Sequence, residues 1–171
     1  MNRPIKAITI KQPWAWAIAH GGKDIENRTW GTSYTGLLAI HAGAAWAEPG
    51  ACDRRVIAAA EADKDENGCY DPPLHVEVEI GRAGSTWVRP TDPRYVRSAI
   101  VAVVEVVDWG VCEGYCSPWA IPGQHHWRLT NARPLAQPVH CKGRLSLWSL
   151  PNDVETAVRD QLAAQEATSR G

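Results

Sequence analysis

The 171-residue sequence contains no phenylalanine and a single methionine, so its large apolar volume rests on nine tryptophans, four tyrosines and the aliphatic residues. A buried indole brings an N–H that needs a partner, and rings not required by a core can serve as stacking surfaces. An excess of one charge is also missing: 18 Lys and Arg against 19 Asp and Glu leave a net charge of −1. That balance excludes tight, nonspecific binding of a duplex through many phosphates, so any contact with nucleic acid is expected to be local. No run approaches the roughly 20 apolar residues of a membrane span, and the opening MNRPIKAITI lacks the apolar core and cleavage site of a signal peptide. A cytoplasmic protein without membrane association is expected. Five cysteines, an odd number, give no disulfide framework and are expected to stay reduced as core or surface thiols. Phosphate-binding loops, the G-x-S-x-G and H-E-x-x-H motifs and the dinucleotide fingerprint are all absent.

What is present concentrates in Lys11 to Thr29, KQPWAWAIAHGGKDIENRT. Pro13 suits a first helical position and the Gly21–Gly22 pair a left-handed stop, which leaves a helix of about two turns. So short a helix cannot persist alone in water, and Trp14, Ala17 and Ile18, which share a face by spacing, are expected to bury it. Lys23 falls just past the helix end. Asp24, Glu26 and Arg28 then alternate with Ile25, Asn27 and Thr29, as on a strand with one charged face. Lys23 either meets the exposed helix carbonyls or lies at a cleft mouth, where it could meet a phosphate or, desolvated, act as a base. Glu26 and Arg28 read as an ion pair fixing the segment, or as a fork and a carboxylate presented to a base edge.

Along the rest of the chain, Ala7 to Lys11, Leu37 to Ala42, Ala99 to Asp108, Trp127 to Leu129 and Leu145 to Leu150 read as strands. LLAIHA is apolar on both faces, as in a strand covered on both sides. Ala51 to Ala62 favours helix. Residues 64–97 are rich in Pro, Gly and Asp and read as a peripheral insertion, with VEVEI and STWVR as its only strand-like pieces. Asn152 with Glu155 three residues on reads as a capping box for a terminal helix over 152–167, with Val154, Val158 and Leu162 on its apolar stripe. The length suits one domain over residues 1–171.

The pattern G-x-K-x-x-E-x-R, formed by Gly21, Lys23, Glu26 and Arg28 after the QPW helix, resembles the signature of the ASCH domain. IHAG at Ile40 to Gly43, GQHHWRL at Gly123 to Leu129 and P-V-x-x-x-G-x-L-x-L-W at Pro138 to Trp148 also resemble the longer bacterial and phage members. The resemblance implies an α+β fold, a PUA-like mixed β-barrel with a short helix at the cleft and flanking helices. It implies recognition of RNA or a nucleoside or nucleotide. Some small members are amidohydrolases acting on N4-acetylcytidine; they resemble this segment in its Lys and Arg and carry a threonine where Glu26 stands. On this reading Lys23, Glu26 and Arg28 bind the ligand, with Lys23 and Glu26 catalytic if the protein is a hydrolase of nucleosides or RNA. Trp14, Trp16 and Trp30, which flank the charged segment, are the stacking candidates, and Glu105, or equally Glu113, is a second carboxylate for the cavity. A protein-interaction module is the remaining class. Cys112 and Cys116 have a C-x3-C spacing that suits zinc, with His125, His126, His140 and Cys141 as further donors. There is neither a second cysteine pair nor an H-x3-H, so no metal and no cofactor is expected.

Overall fold

The computed structural model describes residues 4–63, 79–80, 86–88, 90–112 and 116–169. In chain order the elements are β1 (Lys6–Gln12), α1 (Trp14–Ala19), β2 (Ile25–Arg28), β3 (Gly36–Trp46), α2 (Glu48–Ala51), α3 (Arg54–Ala62), β4 (Glu79–Ile80), β5 (Thr86–Trp87), β6 (Ala99–Val111), β7 (His125–His140), β8 (Leu147–Ser149) and α4 (Asn152–Thr168). Six strands form one mixed sheet in the order β2-β7-β6-β3-β1-β8; β1 and β3 run parallel and the other pairs antiparallel. β4 and β5 form a separate two-stranded ladder.

All five segments read as strands from the sequence lie in the one large sheet, and the fold is α+β. The expected β-barrel is not formed. β2 and β8 are the two edges of an open sheet and do not pair with each other. Their lengths give the physical reason, for four and three residues offer too few ladder bonds to close a sheet on itself. β8 pairs with β1 only across Lys6 to Ile8. Just beyond, at Thr9, the backbone carbonyl accepts instead from Arg28 Nη2 of β2 at 3.1 Å. One side chain thus spans the gap that strand pairing leaves open.

Strand alternation explains the layers. On β1 and β3, Ile8, Ile10, Leu38 and Ile40 face α1, while Ala7 and Ala39 face α4. β3 is therefore buried on both faces, as its apolar run suggests. Val154, Val158 and Leu162 of α4 pack against Ile100, Val103, Leu135 and Trp148. α1 is buried on two sides rather than on one stripe: Ala15, Ile18 and Ala19 join the sheet core, while Trp16 and Ala17 join a third cluster with Val56, Val88 and Tyr95, and Trp14 stays partly exposed. Burial on both sides supplies what its six residues could not.

Two local readings need correction. Asn152 makes no capping bond, because the helix already begins there after Pro151. Glu155 Oε1 instead accepts from the Ile5 amide at 3.3 Å and from Arg159 at 2.6 Å. β7 runs for 16 residues, far beyond Trp127 to Leu129, and absorbs Pro134 and Pro138 through irregular register against β6. Of the segment 64–97, residues 64–78, 81–85 and 89 lie outside the described residues. Its later part is built into the third cluster: the Val88 amide donates to Ala51, and Arg94 pairs with Asp92 at 2.8 Å and donates to the Ala60 carbonyl.

Candidate functional site

The open side of the sheet is a cleft. A cavity of about 620 Å³ lies between Thr9 to Lys11 of β1 and Glu26 to Arg28 of β2, walled by Trp14, Trp46, Arg55 and Trp119. Local sequence aims the key side chains into it. Gln12, almost fully buried, accepts from the Trp16 amide at 2.9 Å and so caps α1, while its own amide donates to the Val96 carbonyl at 2.8 Å. At the other end the Ala17 carbonyl accepts from both the Gly21 and the Lys23 amides. A Cβ at Gly21 would stand 3.0 Å from the Ala17 backbone, and Gly22 has φ +67°. The two glycines therefore permit the tight reversal that turns Lys23 back beneath α1.

Lys23 is not at a cleft mouth, as an exposed helix-end lysine would be; it forms the floor, with only 6% of its surface exposed, as has Glu26. Its ammonium donates to the Ile25 carbonyl and lies 3.3 Å from Glu26 Oε2. The other carboxylate oxygen, Glu26 Oε1, lies 3.0 Å from Arg28 Nε. Burial holds the Lys23 amine below its ordinary pKa, against the opposing pull of the Glu26 carboxylate. Two cations thus flank one buried anion, and Arg28, whose side chain is 25% exposed, is the member that reaches solvent. Across Arg28, Thr9 and Lys11 the cleft adjoins a second cavity of about 500 Å³, bordered by Lys142 and Arg144.

Asn27 fixes the far wall. Its amide donates to the Trp119 carbonyl and accepts from the Ile121 amide, both at 2.8 Å, which sets Trp119 edge-on to Trp14 at 6.4 Å. Arg55 lies over the Trp119 ring at 4.3 Å. The structure therefore gathers Lys23, Glu26, Arg28 and Trp14, and adds Trp119, Arg55 and Asn27, which the sequence reading did not select. Only the position of Asn27 within the charged strand could have flagged it.

Three expected residues lie elsewhere. Trp16, two positions from Trp14 on so short a helix, points the other way and packs on Tyr95 at 5.6 Å. Trp30 follows β2 and stands edge-on to Trp127 at 4.8 Å, outside the cleft. Glu105 meets Asn131 Nδ2 at 3.3 Å near β7 and does not line the cleft. Glu113 lies outside the described residues.

The motif segments also meet. The His41 ring of IHAG sits where a Cβ on Gly143 would fall, 2.5 Å away, so only glycine lets these two segments touch. Comparison with known proteins accords with these motifs. No curated protein matches the chain in sequence. Among solved structures the chain is matched to the crystal structure of a mutant ASCH protein from Zymomonas mobilis, with a TM-score of 0.48 and 11% identity over 92% of this chain and 98% of that one. The sequence profile of the ASCH domain matches residues 8–139, from Ile8 in β1 to Val139, one residue short of the end of β7. The chain belongs to the ASCH domain family, within the PUA-like superfamily.

Proposed function

We propose that this ASCH domain binds RNA or a modified nucleotide in the cleft over Lys23, Glu26 and Arg28. The family is generally associated with nucleic-acid binding. The observation that carries the reading is the partly exposed Arg28 fork, braced from below by a buried carboxylate and flanked by Trp14 and Trp119. A planar guanidinium suits a base edge or a phosphate, and an indole face suits a base, at about 1–3 kcal/mol per stacked base. Lys11, Lys142 and Arg144 along the adjoining cavity offer a short basic path for one or two phosphates. A net charge of −1 fits such local contact and not a long duplex.

Titration of short single-stranded RNA and of a panel of modified nucleosides, read by tryptophan fluorescence, tests this. Arg28→Lys keeps the charge and loses the fork; it should weaken binding about fivefold or more, in line with the roughly 1–3 kcal/mol of a bidentate contact. Unchanged affinity in both Arg28→Lys and Trp14→Ala would place the ligand elsewhere.

A second reading rests on one observation, the burial of the Lys23 amine at the floor of the cleft, which holds its pKa below the ordinary value. A buried amine that gives up its proton more readily can serve as the base of a hydrolase acting on an N4-acylated cytidine or on RNA, with Glu26 orienting it. That reading demands turnover that Lys23→Met abolishes at saturating substrate, and a wild-type rate that rises with pH through a lysine pKa below the ordinary value. Binding alone demands neither.

A further inference from the structure

On the far side of β2 from the cleft, the fold assembles what the cysteine spacing alone does not. Cys112, at the end of β6, Cys116, in the following loop, and His126, at the start of β7, place their donor atoms within 4.8 Å of one another. Cys116 Sγ and His126 Nδ1 are 3.3 Å apart. A tetrahedral zinc ion with bonds of about 2.0–2.3 Å holds its ligand atoms roughly 3.5–3.8 Å from one another, so small side-chain rotations bring all three donors onto one ion.

The imidazole is set for this. His126 is 4% exposed, and its Nε2 lies 2.7 Å from the Ile121 carbonyl, which can only accept. Nε2 therefore carries the proton, and the Nδ1 lone pair faces the two thiols. A backbone carbonyl orienting the outer nitrogen of a ring is the usual support of a metal-bound histidine. Beside the three donors lies a cavity of about 160 Å³ bordered by Asp108 and Arg128, room for a water in a fourth position.

We propose that Cys112, Cys116 and His126 bind one divalent soft-to-borderline metal ion, zinc by donor type, with water as the fourth ligand. Two thiol protons pass to solvent as the ion enters, and no redox change is involved. The ion ties the end of β6 to the start of β7. Trp119, Ile121 and Gln124, which line the cleft wall, lie on the connection it closes. The site stands independently of what the cleft binds.

The bland alternative is a thiol that only donates to His126 Nδ1. The two are separated by stripping the full-length protein with a chelator under a phosphine reductant and titrating it with Co²⁺ and then Zn²⁺. One equivalent of Co²⁺ should give thiolate charge-transfer absorption in the near ultraviolet and tetrahedral d–d bands in the visible, displaced by one equivalent of Zn²⁺. Cys112→Ser and Cys116→Ser, both near the surface, should each lower zinc affinity at least tenfold while retaining the wild-type circular dichroism, and zinc should shield both thiols from alkylation. His126→Gln, more deeply set, should lose the d–d bands. No charge-transfer band in the wild type, or zinc affinity unchanged in both serine variants, overturns the proposal. So does alkylation of Cys112 and Cys116 at the same rate with and without zinc.

Discussion

The two faces of the large sheet are built from different materials. Against α4, Val154, Val158 and Leu162 meet Ile5, Ala7, Ile100 and Val103, His41 is a buried polar side chain against Trp148, and the charged pairs Arg133–Glu166 and Arg159–Glu155 keep partly exposed members. Against α1 the apolar set of Ile8, Ile18, Ile40 and Trp127 is interrupted by Gln12, Lys23 and Glu26, each 6% exposed or less. Apolar contacts tolerate substitution in proportion to the volume lost, whereas a buried polar network holds only while each member keeps its partner. The first face carries stability. The second holds a buried charge network whose Arg28 end reaches solvent.

Removing the shared anion is the severest way to break that contrast. Glu26→Ala leaves two cations side by side, one of them buried, and should destabilise the fold by about 3–5 kcal/mol. Leu162→Ala in α4, which only empties volume, should cost about 2–3 kcal/mol. Urea denaturation of both variants gives the order, and a milder loss in Glu26→Ala would mean that the triad is solvated. Next in size is Gly143→Ala, which sharpens the picture of the α4 side where His41 meets Trp148. The added Cβ would stand 2.5 Å from the His41 ring and 2.8 Å from Thr9 Oγ1, and the overpacking should cost about 1–3 kcal/mol in thermal unfolding. A change in Tm equal to that of Gly110→Ala, where an added Cβ meets nothing within 4 Å, would show that the segment simply moves aside.

The smallest effect is a slope. Because burial lowers the folded-state pKa of Lys23, the unfolded chain holds the extra proton between that lowered value and 10.5. Stability therefore rises with pH through this window, and Lys23→Met removes the contribution. The difference in unfolding free energy, wild type minus variant, should climb with pH, by no more than about 1.4 kcal/mol per pH unit, the limit for one proton. A difference independent of pH would mean that Lys23 keeps its ordinary pKa.

The same division of the sheet explains what the sequence could disclose. Period-2 alternation located β1, apolar runs located β3 and β6, and the stripe on α4 was legible because an apolar surface must repeat to be buried. The charged strand was legible because Lys23, Glu26 and Arg28 are close in the chain. Trp119 and Arg55 reach the cleft through Asn27 and α3, from more than 25 residues away, and no local pattern records that. Closure of the sheet depended on the lengths of its two edge strands, which periodicity does not measure. Trp16 was misplaced because its helix packs on two sides and opens to the cleft only at Trp14, so that a buried ring and a cleft ring look alike in sequence. His126 comes to the end of β6, beside Cys112, because β6 and β7 pair antiparallel with Val111 opposite His125, a register that the cysteine spacing does not show.

The brevity of β2 and β8 also governs how anything can be recognised. A sheet edge with a long row of unpaired amides and carbonyls invites a further strand, from an extended peptide or from another copy of the chain. Here one edge has four residues and the other three, so an added strand would gain only a few backbone bonds. On the proposed reading, affinity at this sheet comes from side chains, and selectivity can be retuned by replacing single residues without disturbing the ladder that holds them.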